Sequence, residues 1–240
     1  MAGTGQSAAG LTANRLKWIA VIAMAAQHSA ILFLSHGSAL YDLLFAAGKV
    51  TAPVMCFFIA EGYCHTRSRE KYLGRLLLGA LLSHVPHALA FGFSVWEFWR
   101  VTSVMWSLFL GLLALMVWER KDWPLPVRTA AVLLCCMLSY PGNWNAAAVL
   151  WVLAFGVFRG RGRAVWAAFA AVSCIHFAES FLIPSPTDPL YLRFFVFMAV
   201  PLLMQYNGQL GRKCAWIQWG YYLFYPLHFL ILYGLARLAR

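Results

Sequence analysis

The chain has 240 residues, 62% of them apolar or aromatic and only 11% charged, with a mean hydropathy of +0.68. A water-soluble domain carries about 25% charged residues, so this composition excludes an ordinary soluble enzyme and, by the opposite bias, a disordered chain. The net charge is +11, from 19 Lys and Arg against 8 Asp and Glu; in so apolar a chain it reads as a topology signal, not as a nucleic-acid surface.

A bilayer span needs roughly 20 apolar residues. Nine segments of that character follow one another, at about 16–35, 43–64, 72–92, 101–118, 127–141, 144–158, 164–183, 190–206 and 215–236. The expected fold is therefore all-α: a polytopic transmembrane helix bundle, one domain over residues 15–240, behind a small polar head (1–14) expected to be disordered. The fifth and sixth segments are short and meet at the breaker-rich turn Tyr140-Pro141-Gly142-Asn143-Trp144. They form either two spans or a re-entrant hairpin. With the N-terminus inside, fourteen of the nineteen Lys and Arg fall on the inner side, which sets an N-in, C-out orientation. The six cysteines contain no C-x-x-C pair, so neither a disulfide framework nor a metal site is expected.

Ionisable groups inside a membrane are costly, about 2.5–3.5 kcal/mol at a helix centre for charged side chains, so their depth carries information. At 1.5 Å rise per residue, His28, His84, His176 and His228 all lie roughly 18–20 Å from the inner end of their segments. Gln27, Ser83 and Tyr225 lie near this level, with His87 and Glu179 further out. One such histidine is most simply bonded to a backbone carbonyl. Four at one depth point to a polar layer, able to hold a substrate amine or to move protons.

The inner loop after the second segment runs Glu61-Gly62-Tyr63-Cys64-His65-Thr66-Arg67-Ser68-Arg69-Glu70-Lys71-Tyr72, then Arg75. Arginine offers a planar fork and lysine a point charge to phosphate. The plain reading is a positive-inside anchor touching lipid headgroups. Glu61 just within the membrane, with His65 and Tyr72 beside the cations, favours a site for a cytosolic, nucleotide-bearing cofactor. The run Arg159-Gly160-Arg161-Gly162-Arg163 reads as an anchor.

These residues resemble a known family. Leu16-Lys17-Trp18-Ile19-Ala20 through Gln27-His28, the block Pro53 to Arg75 around Phe57-Phe58-Ile59-Ala60-Glu61-Gly62-Tyr63, and Pro201-Leu202-Leu203 with Tyr206-Asn207-Gly208 are similar to motifs of the TraX family, the F-pilin acetylases. Phe224-Tyr225-Pro226-Leu227-His228 also matches, and the likeness spans about residues 15–236. The resemblance implies a multi-pass inner-membrane acetyltransferase with acetyl-CoA as donor and the N-terminal amine of a pilin-like protein as acceptor. Two departures stand out: Gln27 occupies the place of the family's usual Asp beside the histidine, and Lys49 stands where an Arg is expected before Pro53.

On this reading the catalytic residues are His28, His228, Tyr225 and Glu61. The cofactor's phosphates lie on His65, Arg67, Arg69, Lys71, Tyr72 and Arg75. Gln27, His84, His176, Glu179 and Asn207 form a supporting polar layer. No metal and no nucleic-acid partner is expected; membrane lipids are. Three rivals remain: an O-acetyltransferase for a surface glycan or lipid, a small proton-coupled transporter, and a non-catalytic pilus-assembly scaffold.

Overall fold

Polar caps and prolines set the helix limits. Thr12, Ser38 and Ser68 each accept the backbone N–H three residues on, from Arg15 at 3.5 Å, Tyr41 at 3.2 Å and Lys71 at 3.3 Å. Each thereby satisfies a donor that a first helical turn leaves open. The structure is a computed structural model that describes residues 10–182, 188–211 and 215–239, and of residues 179, 180, 182, 215–219 and 222 only the backbone. In chain order the helices are α1 (Ala13–Phe33), α2 (Ala39–Gly48), α3 (Thr51–His65), α4 (Arg69–Phe91), α5 (Val104–Trp118), α6 (Leu125–Leu138), α7 (Asn145–Val157) and α8 (Arg163–Leu182). After these come α9 (Leu190–Arg193), a 3₁₀ stretch (Phe194–Met198), α10 (Ala199–Met204) and α11 (Ala215–Leu238). No strand occurs among the described residues, only two isolated bridges, Leu11 with Tyr206 and Thr102 with Gly142.

Among the described residues, three stretches are long and apolar enough to cross a membrane by length and composition: Ala13–Phe33, Ala39–His65 and Arg69–Phe91. The expected segments map onto the helices with two interruptions. Segment 43–64 falls on α2 and α3, which break at Lys49–Val50. Segment 190–206 falls on α9, the 3₁₀ stretch and α10. Proline accounts for both, because its ring clashes with the carbonyl four residues earlier. Pro53 disfavours a continuous helix at Lys49, and Pro201 does so at Phe197. The short segments, α6 and α7, run beside α5. Their turn reaches its start, where Thr102 donates its N–H to the Pro141 carbonyl at 2.7 Å.

Residues 10–14, read from the sequence as the end of a disordered head, are ordered. Leu11 donates to the Gln205 carbonyl at 2.7 Å and accepts from Asn207 at 3.0 Å, and Ala13 donates to Gln209 at 2.9 Å. Residues 1–9 lie outside the described residues, as do Arg212, Lys213 and Arg240 of the charge tally and Cys214.

The helices are inside-out relative to a soluble bundle. On α4, Leu78, Leu81, Leu82 and Val85 form an exposed stripe, while Ser83, His84 and His87 are buried. On α11, Leu223, Leu227, Leu230 and Ile231 are exposed, while Tyr225, His228 and Phe229 are buried. Spacing at i, i+3 or i+4, and i+7 marks one face of a helix, and here that apolar face looks outward. Water would not tolerate such surfaces over the whole molecule, so this is a membrane protein. Helix α3 is central, packed by α1, α5 and α7, and α11 lies against α4 and α1.

Candidate functional site

Adjacent residues on a helix point about 100° apart. Gln27 and His28 therefore face different neighbours. Gln27 turns onto α2, where a Cβ at Gly48 would collide with it. His28 turns toward α11 and meets His228, 200 residues away in sequence: His28 Nδ1 and His228 Nε2 are 3.0 Å apart, and the rings stack at 5.2 Å. Both side chains are buried.

The hydrogen bonds fix which nitrogen carries each proton in the neutral pair. His228 Nδ1 lies 3.1 Å from the Phe224 carbonyl. A carbonyl only accepts, so the His228 proton is on Nδ1 and its Nε2 holds a lone pair. His28 must then donate from Nδ1, which leaves a lone pair on His28 Nε2. Thus His228 takes the orienting position that a neighbouring carboxylate would hold, and Gln27 is not needed for it.

Aromatic rings wall the pair. Phe229 lies 4.7 Å from the His28 ring and Phe91 lies 5.8 Å from it. The same two rings pack on His87, at 5.2 Å and 5.0 Å. Phe91 also lines a cleft of about 520 Å³ formed by Ile31, Leu32, Leu89, Tyr233 and Arg237 at the C-terminal ends of α1, α4 and α11. Tyr225 is buried, and its ring packs against His228 and Phe229 at 5.4 and 5.2 Å.

The four histidines read as one layer are divided by the packing. His84 donates from Nε2 to the Val95 carbonyl at 2.8 Å and accepts at Nδ1 from Thr102 Oγ1 at 3.2 Å, which fastens the 92–103 loop to α4. His176 lies between Trp144 and Trp151, at 5.3 Å and 5.9 Å, on α8. Nearby, Lys49 and Arg193 both pair with Asp188, at 2.6 Å and 3.1 Å. Asn207 caps a turn near the start of α1, accepting from the Gln209 N–H. The side chain of Glu179 lies outside the described residues.

The cationic loop forms a second, separate region. Arg67, Ser68, Arg69 and Glu70 line a cleft of about 580 Å³ with Tyr63 and Arg120. The Arg69 guanidinium lies 4.2 Å over the Tyr63 ring. Ser68 begins α4, whose open N–H groups add to the attraction for anions. Other loop residues serve the packing. Tyr72 is buried against Gly62, and Arg75 stacks over Tyr72 at 5.6 Å. Glu61 does not reach the His28–His228 pair. It is gripped by Arg159 through Oε1 at 2.7 Å and Oε2 at 3.2 Å, and by His65 at 3.2 Å.

Three residues of these regions stood outside the expected site. Arg159 reads as an anchor, and nothing local to it marks Glu61 as its partner; Arg120 pairs with Asp122 two residues on, and nothing local places it beside Arg69. His87 carried a signal: Pro86 precedes it within α4, as Pro226 stands two before His228 within α11. A proline inside an apolar helix beside a histidine occurs on two of the three helices that build the cluster, α4 and α11.

Comparison with known proteins adds the following. The sequence model of the family described as TraX protein matches residues 12–236. The chain is 30% identical over 231 residues to the probable fimbrial assembly protein FimC, serogroup H1, of Dichelobacter nodosus, covering 92% of this chain and 94% of that protein. No solved structure matches.

Proposed function

The chain belongs to the TraX family, and on that premise we propose that it is a multi-pass inner-membrane acetyltransferase that moves acetyl from acetyl-CoA to the N-terminal amine of a pilin-like protein. The observation that carries the reading is the His28–His228 pair, a buried base with its tautomer set and its lone pair on Nε2. Neutral imidazole is suited to accept a proton near pH 7. The basic cleft supplies the donor's anchor: Arg67, Arg69 and Arg120 hold phosphates, and the thioester arm extends along the bundle. The basic end then faces the cytoplasm, giving N-in, C-out. The acceptor enters from the opposite end, through the cleft bounded by Phe91 and Arg237.

In this mechanism the acceptor amine forms a C–N bond to the acetyl carbon and its proton passes to His28 Nε2. His228 stabilises the imidazolium by accepting from His28 Nδ1 and relaying polarisation to the Phe224 carbonyl. The C–S bond breaks, and the thiolate takes the proton from His28 and leaves as free thiol. Tyr225 packs against His228 at 5.4 Å and holds it in place.

The test is thiol release by detergent-purified protein given acetyl-CoA and an N-terminal pilin-type peptide, beside His28→Ala. Release that the variant loses supports the reading; equal release overturns the mechanism. A second reading, a non-catalytic assembly role, draws on Gln27 in the place of an acid and on the fimbrial assembly name of the relative. It requires that deletion impair pilus assembly while His28→Ala leaves assembly intact.

A further inference from the structure

His87 is a third histidine beside the pair, and nothing in the mechanism above uses it. It is 1% exposed. Its Nε2 lies 3.2 Å from Asn143 Nδ2. An amide nitrogen only donates, so His87 Nε2 accepts and its proton resides on Nδ1. That Nδ1–H is buried with no hydrogen-bond partner among the described residues. An unmet buried donor costs the full desolvation of the group, and such groups call for a functional explanation. His87 shares Phe91 and Phe229 with His28, and the rings of His28, His87 and His228 lie within electrostatic reach of one another.

We infer that His87 Nδ1–H is the donor to the acyl carbonyl oxygen, and that Asn143 is a positioning residue that sets the His87 tautomer. This rests on the acetyl-transfer reading. When the amine nitrogen bonds to the acetyl carbon, negative charge collects on the carbonyl oxygen until the C–S bond breaks. A fixed N–H in a site closed to water stabilises that oxygen more than it stabilises the ground-state carbonyl. The unsatisfied donor is then satisfied by substrate alone. The proton on Nδ1 is not transferred; proton traffic stays on His28 Nε2. His87 is thus a catalytic residue of a different kind from His28, and neutral His87 is the active form.

Two substitutions separate this role from packing. Asn places an amide where His has Nδ1, and Gln places one where His has Nε2. His87→Gln keeps an acceptor for Asn143 and loses the donor. His87→Asn keeps the donor and loses the Asn143 contact. Asn143 is exposed in the turn before α7, so Asn143→Asp leaves the packed core unchanged, while its carboxylate accepts from Nε2–H and moves the lone pair to Nδ1.

The experiment measures thiol release with saturating acetyl-CoA and pilin-type peptide, together with the infrared carbonyl stretch of a ¹³C-labelled ketone analogue of acetyl-CoA bound to each protein. The expected result is a fall of about 10²–10³-fold in kcat for His87→Gln and Asn143→Asp with KM little changed. His87→Asn, which keeps the donor, should fall clearly less than His87→Gln. The carbonyl stretch should be lowered on wild type and His87→Asn, and return toward its aqueous position on the other two. Turnover by wild type with equal turnover by His87→Gln overturns the assignment and leaves acetyl transfer standing. A rate that follows thermal stability across the variants, with an unmoved carbonyl stretch, also overturns it. A wild type that releases no thiol with any amine acceptor removes the reading and the assignment together.

Discussion

The two candidate regions lie at opposite ends of one helix and are built on opposite principles. Arg69 opens α4 and His87 lies near its far end, eighteen positions on, or about 27 Å along the axis. The basic cleft is exposed, and its cations are held only from the side, Arg120 by Asp122 and the Trp123 ring and Arg69 by the Tyr63 ring beneath it. The histidine cluster is buried, its tautomers set by a carbonyl, an amide and each other. Exposed charges attract a ligand from a distance and act weakly on its geometry. Buried, oriented donors and lone pairs act on a reacting atom at close range. Under the proposed acetyl transfer a division of labour follows: the basic end would govern affinity and the histidine end rate.

The largest effect that tests this division is His28→Ala. Loss of a general base is expected to lower kcat about 10²–10⁴-fold, read as thiol release, with acetyl-CoA affinity unchanged by calorimetry. Unchanged kcat would place the chemistry elsewhere.

His228 comes next, and its two variants sharpen the role. His228→Ala removes the acceptor for His28 Nδ1–H and releases its tautomer. His228→Gln offers an amide oxygen where Nε2 stood. We expect kcat to fall about 10²-fold in the first case and by clearly less in the second. Equal losses in both would mean that His228 acts by something other than accepting that hydrogen bond.

Much of the fold could be read from composition and hydropathy, because a chain that exposes apolar stripes announces its solvent. The break at Lys49 was also within reach, through the clash Pro53 makes with the carbonyl four residues before it. Depth along a segment brought His28 and His228 to one level. It could not say that they touch while His84 ties down a loop and His176 lies among tryptophans, because the direction a side chain faces depends on which helix packs beside it. The Glu61–Arg159 pair joins residues 98 apart. Its existence depends on α7 ending beside α3, which no local pattern encodes. A carboxylate set among basic residues looked catalytic for the same reason it is paired: the charge demands a partner.

At the basic end, smaller effects are expected, and on a different constant. Arg69→Ala and Arg120→Ala should each raise KM for acetyl-CoA about 3–10-fold with kcat held, since each removes one solvent-screened phosphate contact. The effect should shrink as salt is raised from 50 to 500 mM, flagged by a Debye length falling from roughly 14 Å to about 4 Å. A loss in kcat at constant KM would show that the arginines act on the transition state and would dissolve the division of labour.

The smallest effect expected concerns Asp122, and its sign is the informative part. Arg120 grips Asp122 through Nε at 3.1 Å and holds its carboxyl below the usual carboxylate range. A lowered carboxylate contributes stability above its unfolded pKa and loses it as pH falls through the folded value. Here both groups are exposed, so thermal unfolding of Asp122→Asn should match wild type at pH 7 and at pH 5. Binding should change instead. The same guanidinium lines the basic cleft, and Asp122 competes with an incoming phosphate for it. Asp122→Asn frees the fork and removes a repelling charge, so CoA should bind about 2–4-fold tighter at low salt, with the gain fading at high salt. Weaker binding would mean that Asp122 holds Arg120 in its receptive pose, and that the basic end, like the histidine end, works by preorganisation.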